Sequence, residues 1–288
     1  MSAAISRSEP KGRAAPGTPH LERGDGAAEI VFAPSGLARL FQKTPCRVLF
    51  PVPEPGDIPV AALLITSGGL TGGDRLRVSV GTTGGARAIA ATVAAEKVYR
   101  SLGPDANVNV SLTVEPAGWL EWLPQETILF DGARLARTVE ADLAAGACLL
   151  AVETLVFGRT ARGERFRHGK LLDRWRVRVD GRLVWADTLR LEGATGSRLD
   201  TASAFAGAVA FATVVYVGEE AAEHLPLARA LAEAVDGRGG ATLVNGVLLA
   251  RFLSHDAQAL RRGLMRYLGG LRQAAAGLPP ALPRIWQV

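Results

Sequence analysis

The chain has 288 residues, 48% of them hydrophobic, enough apolar material to bury one large core or two small ones. Its 33 basic against 28 acidic residues leave a formal charge of +5, too mild and scattered for nucleic acid, since no Lys/Arg run interleaved with aromatics occurs. Cys46 and Cys148 lie far apart in apolar stretches, which argues against a disulfide framework or a CxxC site and predicts reduced, buried thiols.

The first 26 residues are rich in Ser, Pro, Gly and charge and have no apolar centre, so they cannot act as a secretory signal. They read as a disordered tail on a cytoplasmic protein, with one β-rich domain over residues 27–288. From residue 27 to about 217 short strands alternate with turns: "AEIVFAP", "IPVAALLITS", "RLRVSV", "ARAIAATVA", "VNVSLTVEP", "WLEWLP" and "ACLLAVETLVFG" each fit. Trp175, Val177 and Val179 then alternate with arginines up to Asp180-Gly181, a type I′ turn signal, and Leu183 and Trp185 resume the pattern; this predicts a hairpin. Without long helical periodicity, βαβ crossovers are not expected here.

Residues 201–218, "TASAFAGAVAFATVVYVG", carry no charge and approach a bilayer's thickness. The β-branched, aromatic second half, Val209 to Val217, instead predicts a core strand buried on both faces. Two amphipathic helices are expected later. One spans "GEEAAEHLPLARALAEAVDG", with Glu219 and Glu220 at its start, Gly237 beyond its end and Pro226 kinking or splitting it. The other places Leu260, Leu264, Leu268 and Leu271 on one face. Between them "ATLVNGVLLARFLS" reads as a strand or hairpin turning at Asn245-Gly246. The expected class is mainly β, with two α-helices in the C-terminal half.

No catalytic constellation emerges. His20, His168, His224 and His255 show no metal-ligand spacing, and no GxSxG or local Cys-His arrangement occurs. "SGGLTGGDRL" resembles a phosphate loop, but Asp74 stands where the lysine belongs and would repel phosphate. The strand that follows it also fails the strand-glycine-helix order of a dinucleotide fingerprint. A β-rich hydrolase or lyase using carboxylates distant in sequence stays an alternative. Acidic residues beside apolar or glycine-rich turns do stand out: Asp74, Glu126, Glu153 and Glu164. Glu153, inside an apolar strand, costs several kcal/mol unless paired or hydrated, and an arginine partner is the simplest remedy.

"SGGLTGGDRL", "ATVAAEKVYRS", "WLPQETILFDGARL", "VFGRTARGERF" and the terminal "PRIW", in this order, resemble the urease accessory protein family UreD, also called UreH. Glu96 departs from the family pattern, where a small polar residue is expected, and the chain ends "IWQV" rather than in Thr. The resemblance implies layered β-sheets in a helical arrangement and a non-catalytic assembly factor. It would bind apo-urease with UreF and the GTPase UreG, with nickel as cargo in transit and no stably bound cofactor. On that reading Asp74, Glu126 and Glu164 help form a hydrated nickel path or its mouth, carboxylate oxygens suiting transit. Structural capping of turns is the alternative for the same residues.

Overall fold

The computed structural model describes residues 23–287. In chain order the first strands are β1 (Asp25–Ala33), β2 (Gly36–Lys43), β3 (Cys46–Leu49), β4 (Val60–Ile65), β5 (Arg75–Thr82), β6 (Arg87–Thr92), β7 (Glu96–Val98), β8 (Ala106–Val114) and β9 (Trp119–Leu123). They are followed by β10 (Thr127–Leu129), β11 (Arg134–Leu143), β12 (Cys148–Phe157), β13 (Gly169–Val179), β14 (Arg182–Gly193) and a short helix, α1 (Thr195–Asp200). The rest comprises β15 (Ala210–Val217), α2 (Leu225–Glu233), β16 (Arg238–Val244), β17 (Val247–Ser254) and α3 (Ala257–Ala276). The expected tail lies outside the described residues up to residue 22. Asp25 and Gly26, assigned to that tail, instead open β1, because Asp25 is held by Lys43 at 2.6 Å and Arg77 at 2.8 Å.

The strands form two layers, one ordered β14-β13-β11-β8-β5-β1-β2 and the other β16-β17-β15-β12-β9-β6-β4-β3, with β10 and β7 attached beside β12. From β4 to β13 the chain visits the layers in alternation, so successive returns to a layer pair in parallel. A strand of the opposite layer replaces the crossover helix that parallel pairing ordinarily uses. This explains how the chain forms parallel sheets although its sequence has no βαβ periodicity.

Burial follows from the layering. β5 alternates, with Leu76, Val78 and Val80 buried between the sheets and Arg75 and Arg77 exposed on the outer face. The ten-stranded sheet is covered on both faces, so β12 and β15 are buried nearly throughout. Only the second half of the uncharged 201–218 stretch is strand, paired antiparallel to β12 and β17. No helix among the described residues is long and apolar enough to cross a membrane.

The outer cover is α2, α3 and the segment after α3. Asp256 caps α3 by accepting from the Gln258 and Ala259 amides, and Gly277 ends it in the left-handed region, where a side chain is disfavoured. Leu260, Leu264, Leu268 and Leu271 are fully buried, each worth about 2 kcal/mol of transfer free energy. Pro226 sits in the first turn of α2, behind a separate 3-10 turn at Glu219–Ala222. The expected split is therefore present, but Glu219 and Glu220 belong to that turn rather than to α2. Gly237 is not the helix cap either: α2 stops at Glu233, and a Cβ on Gly237 would stand 2.2 Å from the Leu253 carbonyl oxygen. Both predicted hairpin turns form, with positive φ at Asp180 and Gly181 and at Asn245 and Gly246.

Candidate functional site

The glycine-rich stretch is a tight corner leading into β5. Gly68, Gly69 and Gly73 have φ of 75°, 142° and 95°. A Cβ on Gly69 would lie 2.7 Å from the Lys97 carbonyl oxygen, so only glycine lets the two segments approach. The buried Asp74 carboxylate accepts from the Gly24 amide at 2.7 Å, the Thr71 amide at 2.7 Å and the Thr71 hydroxyl at 3.1 Å. Both its oxygens are thus engaged in closing the turn.

Other sequence motifs meet this corner. Leu70 exchanges backbone hydrogen bonds with Lys97 and Tyr99, and the Tyr99 hydroxyl donates to the Gly68 carbonyl at 3.0 Å. The Ser101 amide donates to the Gly132 carbonyl, and the Gly132 amide to that of His168. Asp131 accepts from the Arg167 and His168 amides, both at 2.8 Å, while its own amide donates to Glu164 at 3.1 Å. Glu164 pairs with Arg159, whose bonding holds the carboxyl below its ordinary range, and the Arg159 guanidinium lies 4.4 Å from the Phe130 ring centre. Four stretches separated by up to a hundred residues are thereby locked into one end of the sandwich.

Glu126 faces elsewhere. Arg261 of α3 reaches it at 2.9 Å, stacks 5.0 Å from the Trp286 ring and donates to the Trp286 carbonyl. Gln125 donates to the Ile285 carbonyl, and the Trp286 indole to that of Leu123, so "LPQE" and "PRIW" form a second junction. Beside it Arg272, fully buried, binds Glu121 at 3.0 Å, Asp57 at 2.6 Å and the carbonyls of Pro279 and Ala281. Asp74, Glu126 and Glu164 are therefore not brought together, each having its own partners. Among the described residues no group of three or more His, Cys, Asp or Glu could hold a metal ion.

Behind the glycine corner, between the sheets, lies a cavity of about 310 Å³. Its walls are mostly aliphatic, and its charged lining is Glu96, Lys97, Arg137 and Glu153. Arg137, an inward arginine of β11, binds Asp173 at 2.7 Å and 3.0 Å, Glu153 at 3.0 Å and the Thr127 hydroxyl at 3.1 Å. Glu153 also accepts from the Trp175 indole at 2.7 Å; burial pushes its carboxyl up to about 8, against the pull of Arg137. The buried Trp122 indole nitrogen, also at this wall, has no partner among the described residues. Glu153 found the arginine its position demanded, whereas Arg137 and Asp173 escaped sequence reasoning because a charge at an inward strand position looks like a surface residue. Glu96 had one signal, its departure from the family pattern.

The UreD urease accessory protein family matches residues 25–287. The chain is 44% identical over 259 residues to the urease accessory protein UreD of Magnetococcus marinus, covering 88% of this chain and 89% of that protein. It is also 44% identical over 271 residues to that of Rhodopseudomonas palustris strain HaA2, covering 92% and 93%. With the Granulibacter bethesdensis protein it shares 45% identity over 239 residues, covering 83% and 99%.

Proposed function

Because the chain belongs to the UreD family of urease accessory proteins, with a role in urease maturation, we propose that it is a non-catalytic scaffold that binds apo-urease together with UreF and UreG in the cytoplasm and assists nickel insertion. The observation that carries this reading is the convergence of four of the five family motifs, all but the terminal "PRIW", on one end of the sandwich beside the interior cavity. Loops pinned to one another in this way form a preorganised docking end, which costs little ordering entropy when a partner arrives. The cavity supplies a passage for the ion. Asp74, Glu126 and Glu164 enter as the residues that hold its walls: Asp74 fixes the turn bearing Gly68 and Gly69, Glu126 adjoins Gln125 and Thr127, and Glu164 secures the loop between β10 and β11. The carboxylates that an enzyme could have used, Glu153 and Asp173, share one buried arginine and are both spoken for.

The test is urease activity and nickel content in cells carrying the cognate urease genes, with this gene present, deleted or restored. The proposal expects nickel-poor urease after deletion and recovery on restoration, with the chain co-purifying with apo-urease. Fully metallated urease in the deletion strain at ordinary nickel levels would overturn it.

A further inference from the structure

β5, β8, β11 and β13 run parallel, so their starting ends, with the finishing end of β14, lie side by side at one end of the seven-stranded layer. Neighbouring strands stand about 4.8 Å apart, which makes this row of loops about 20 Å long. Its charge is unbalanced. Each acid of these loops is engaged within the molecule: Glu164 pairs with Arg159, Asp200 with Arg165 and Asp105 with Arg134 and Lys170, while Asp74 and Asp131 accept from backbone amides. Arg100, Arg162, Arg167 and Arg198 are exposed, and among the described residues none of them forms an ion pair or a side-chain hydrogen bond. They are neighbours: Arg100 lies over Gly132, whose amide donates to the His168 carbonyl, and the Gly196 amide donates to the Arg167 carbonyl two residues before Arg198.

Leu102, 93% exposed, stands in the same row. A lone exposed leucine is ordinary on a loose loop, but this one sits on a fastened turn. The Ser101 hydroxyl donates to the Pro104 carbonyl at 2.7 Å and accepts from the Gly103 amide at 3.3 Å, and the Gly73 amide donates to the Asp105 carbonyl at 3.0 Å. A Cβ on Gly72 would stand 1.9 Å from the Ser101 hydroxyl, so the turn seats only against glycine.

We propose that this end docks a protein whose surface offers an apolar pocket to Leu102 and, around that pocket, carboxylates to Arg100, Arg162, Arg167 and Arg198. This deepens the scaffold reading, on which it rests, by fixing the chemistry of one partner's face. A leucine on a fixed backbone loses little entropy on burial, and the arginines steer an acidic face toward it before contact. Phosphate would satisfy the guanidinium groups equally but would leave Leu102 in water, so the occupant is a protein rather than a nucleic acid. A row of about 20 Å fits within one standard interface of about 800 Å² on each side.

The experiment measures the affinity of the full chain for apo-urease and for UreF, each supplied separately, at about 0.05 M and about 0.5 M NaCl. The variants are Leu102→Ser and the pair Arg100→Glu, Arg167→Glu. Neither removes a hydrogen bond or an ion pair from the fold, so both should melt with the wild type. Leu102→Ser should weaken binding to one of the two proteins by at least about tenfold at either salt concentration. The arginine pair should weaken binding to that same protein by about a hundredfold at low salt and by less at high salt, where exposed charges are screened. The proposal is overturned if Leu102→Ser leaves both affinities unchanged, or if the arginine pair acts on neither protein. A loss confined to binding of a DNA duplex overturns it in favour of phosphate. Failure of the scaffold reading looks different: the wild-type chain then binds neither protein.

Discussion

Replacing Arg272 with Met tests whether α3 is fastened to the ten-stranded sheet by charge rather than by leucine packing alone. The side chain is fully buried and donates to Glu121, Asp57 and the carbonyls of Pro279 and Ala281. Methionine fills most of the volume but leaves Glu121, itself fully buried, with only the Trp119 indole at 3.0 Å. Removing one partner of a buried pair costs about 3–5 kcal/mol, because the other charge is stranded. For a chain of this size that is a drop on the order of 10 °C in melting temperature. Burial already raises the Glu121 carboxyl, with Arg272 opposing the rise. Without Arg272 it climbs further, so the variant's deficit should be smaller at pH 5, where Glu121 can take up a proton, and larger at pH 8. The double variant Arg272→Met, Glu121→Leu should recover part of the loss, since Glu121 is then no longer stranded while Asp57 keeps only the Ile58 amide at 2.8 Å. Urea denaturation and calorimetry across this pH range provide the check. A single variant that melts within about 2 °C of the parent, or a double variant that loses the sum of the two single effects, would refute the reasoning.

Three further outcomes are expected. Asp74→Ala strands the Gly24 and Thr71 amides and should cost about 2–4 kcal/mol in urea denaturation. Glu96→Gln should stabilise the protein at pH 8 and leave it unchanged below pH 4.5: the carboxyl rises from 4.5 to about 7 on folding, so its ionisation opposes folding progressively across that window, by up to about 3 kcal/mol above it. Calorimetric melts at the two ends of the window check the sign. Gly269→Ala would place a Cβ 2.0 Å from the Pro280 carbonyl oxygen and should lift the segment after α3, seen as faster amide exchange over residues 278–287.

Sequence reading succeeded where the deciding physics is local. The alternation of β5, the Asp180-Gly181 and Asn245-Gly246 turns and the leucine stripe of α3 each depend on residues within a few positions, and all are present. β2 escaped because it is an edge strand with Leu37, Leu40 and Phe41 exposed, so no burial pattern marks it. β11 escaped because Arg137 interrupts its inward face. β7 and β10, three residues each, are too short for any period to register. The site divides the same way: that Glu153 required a partner was legible, but Arg261 lies 135 residues from Glu126 and Arg272 lies 151 from Glu121, pairings that only the folded chain discloses.

The cover of the ten-stranded sheet sets a schedule for synthesis. α3 and the "PRIW" segment leave the ribosome after all seventeen strands among the described residues, yet they shield the outer faces of β9, β12 and β15. A growing chain therefore presents a broad oily surface until Trp286 and Arg272 arrive to seal it. Nascent chains stalled near residue 256 should be captured by holdase chaperones, and chains released after residue 287 should escape them.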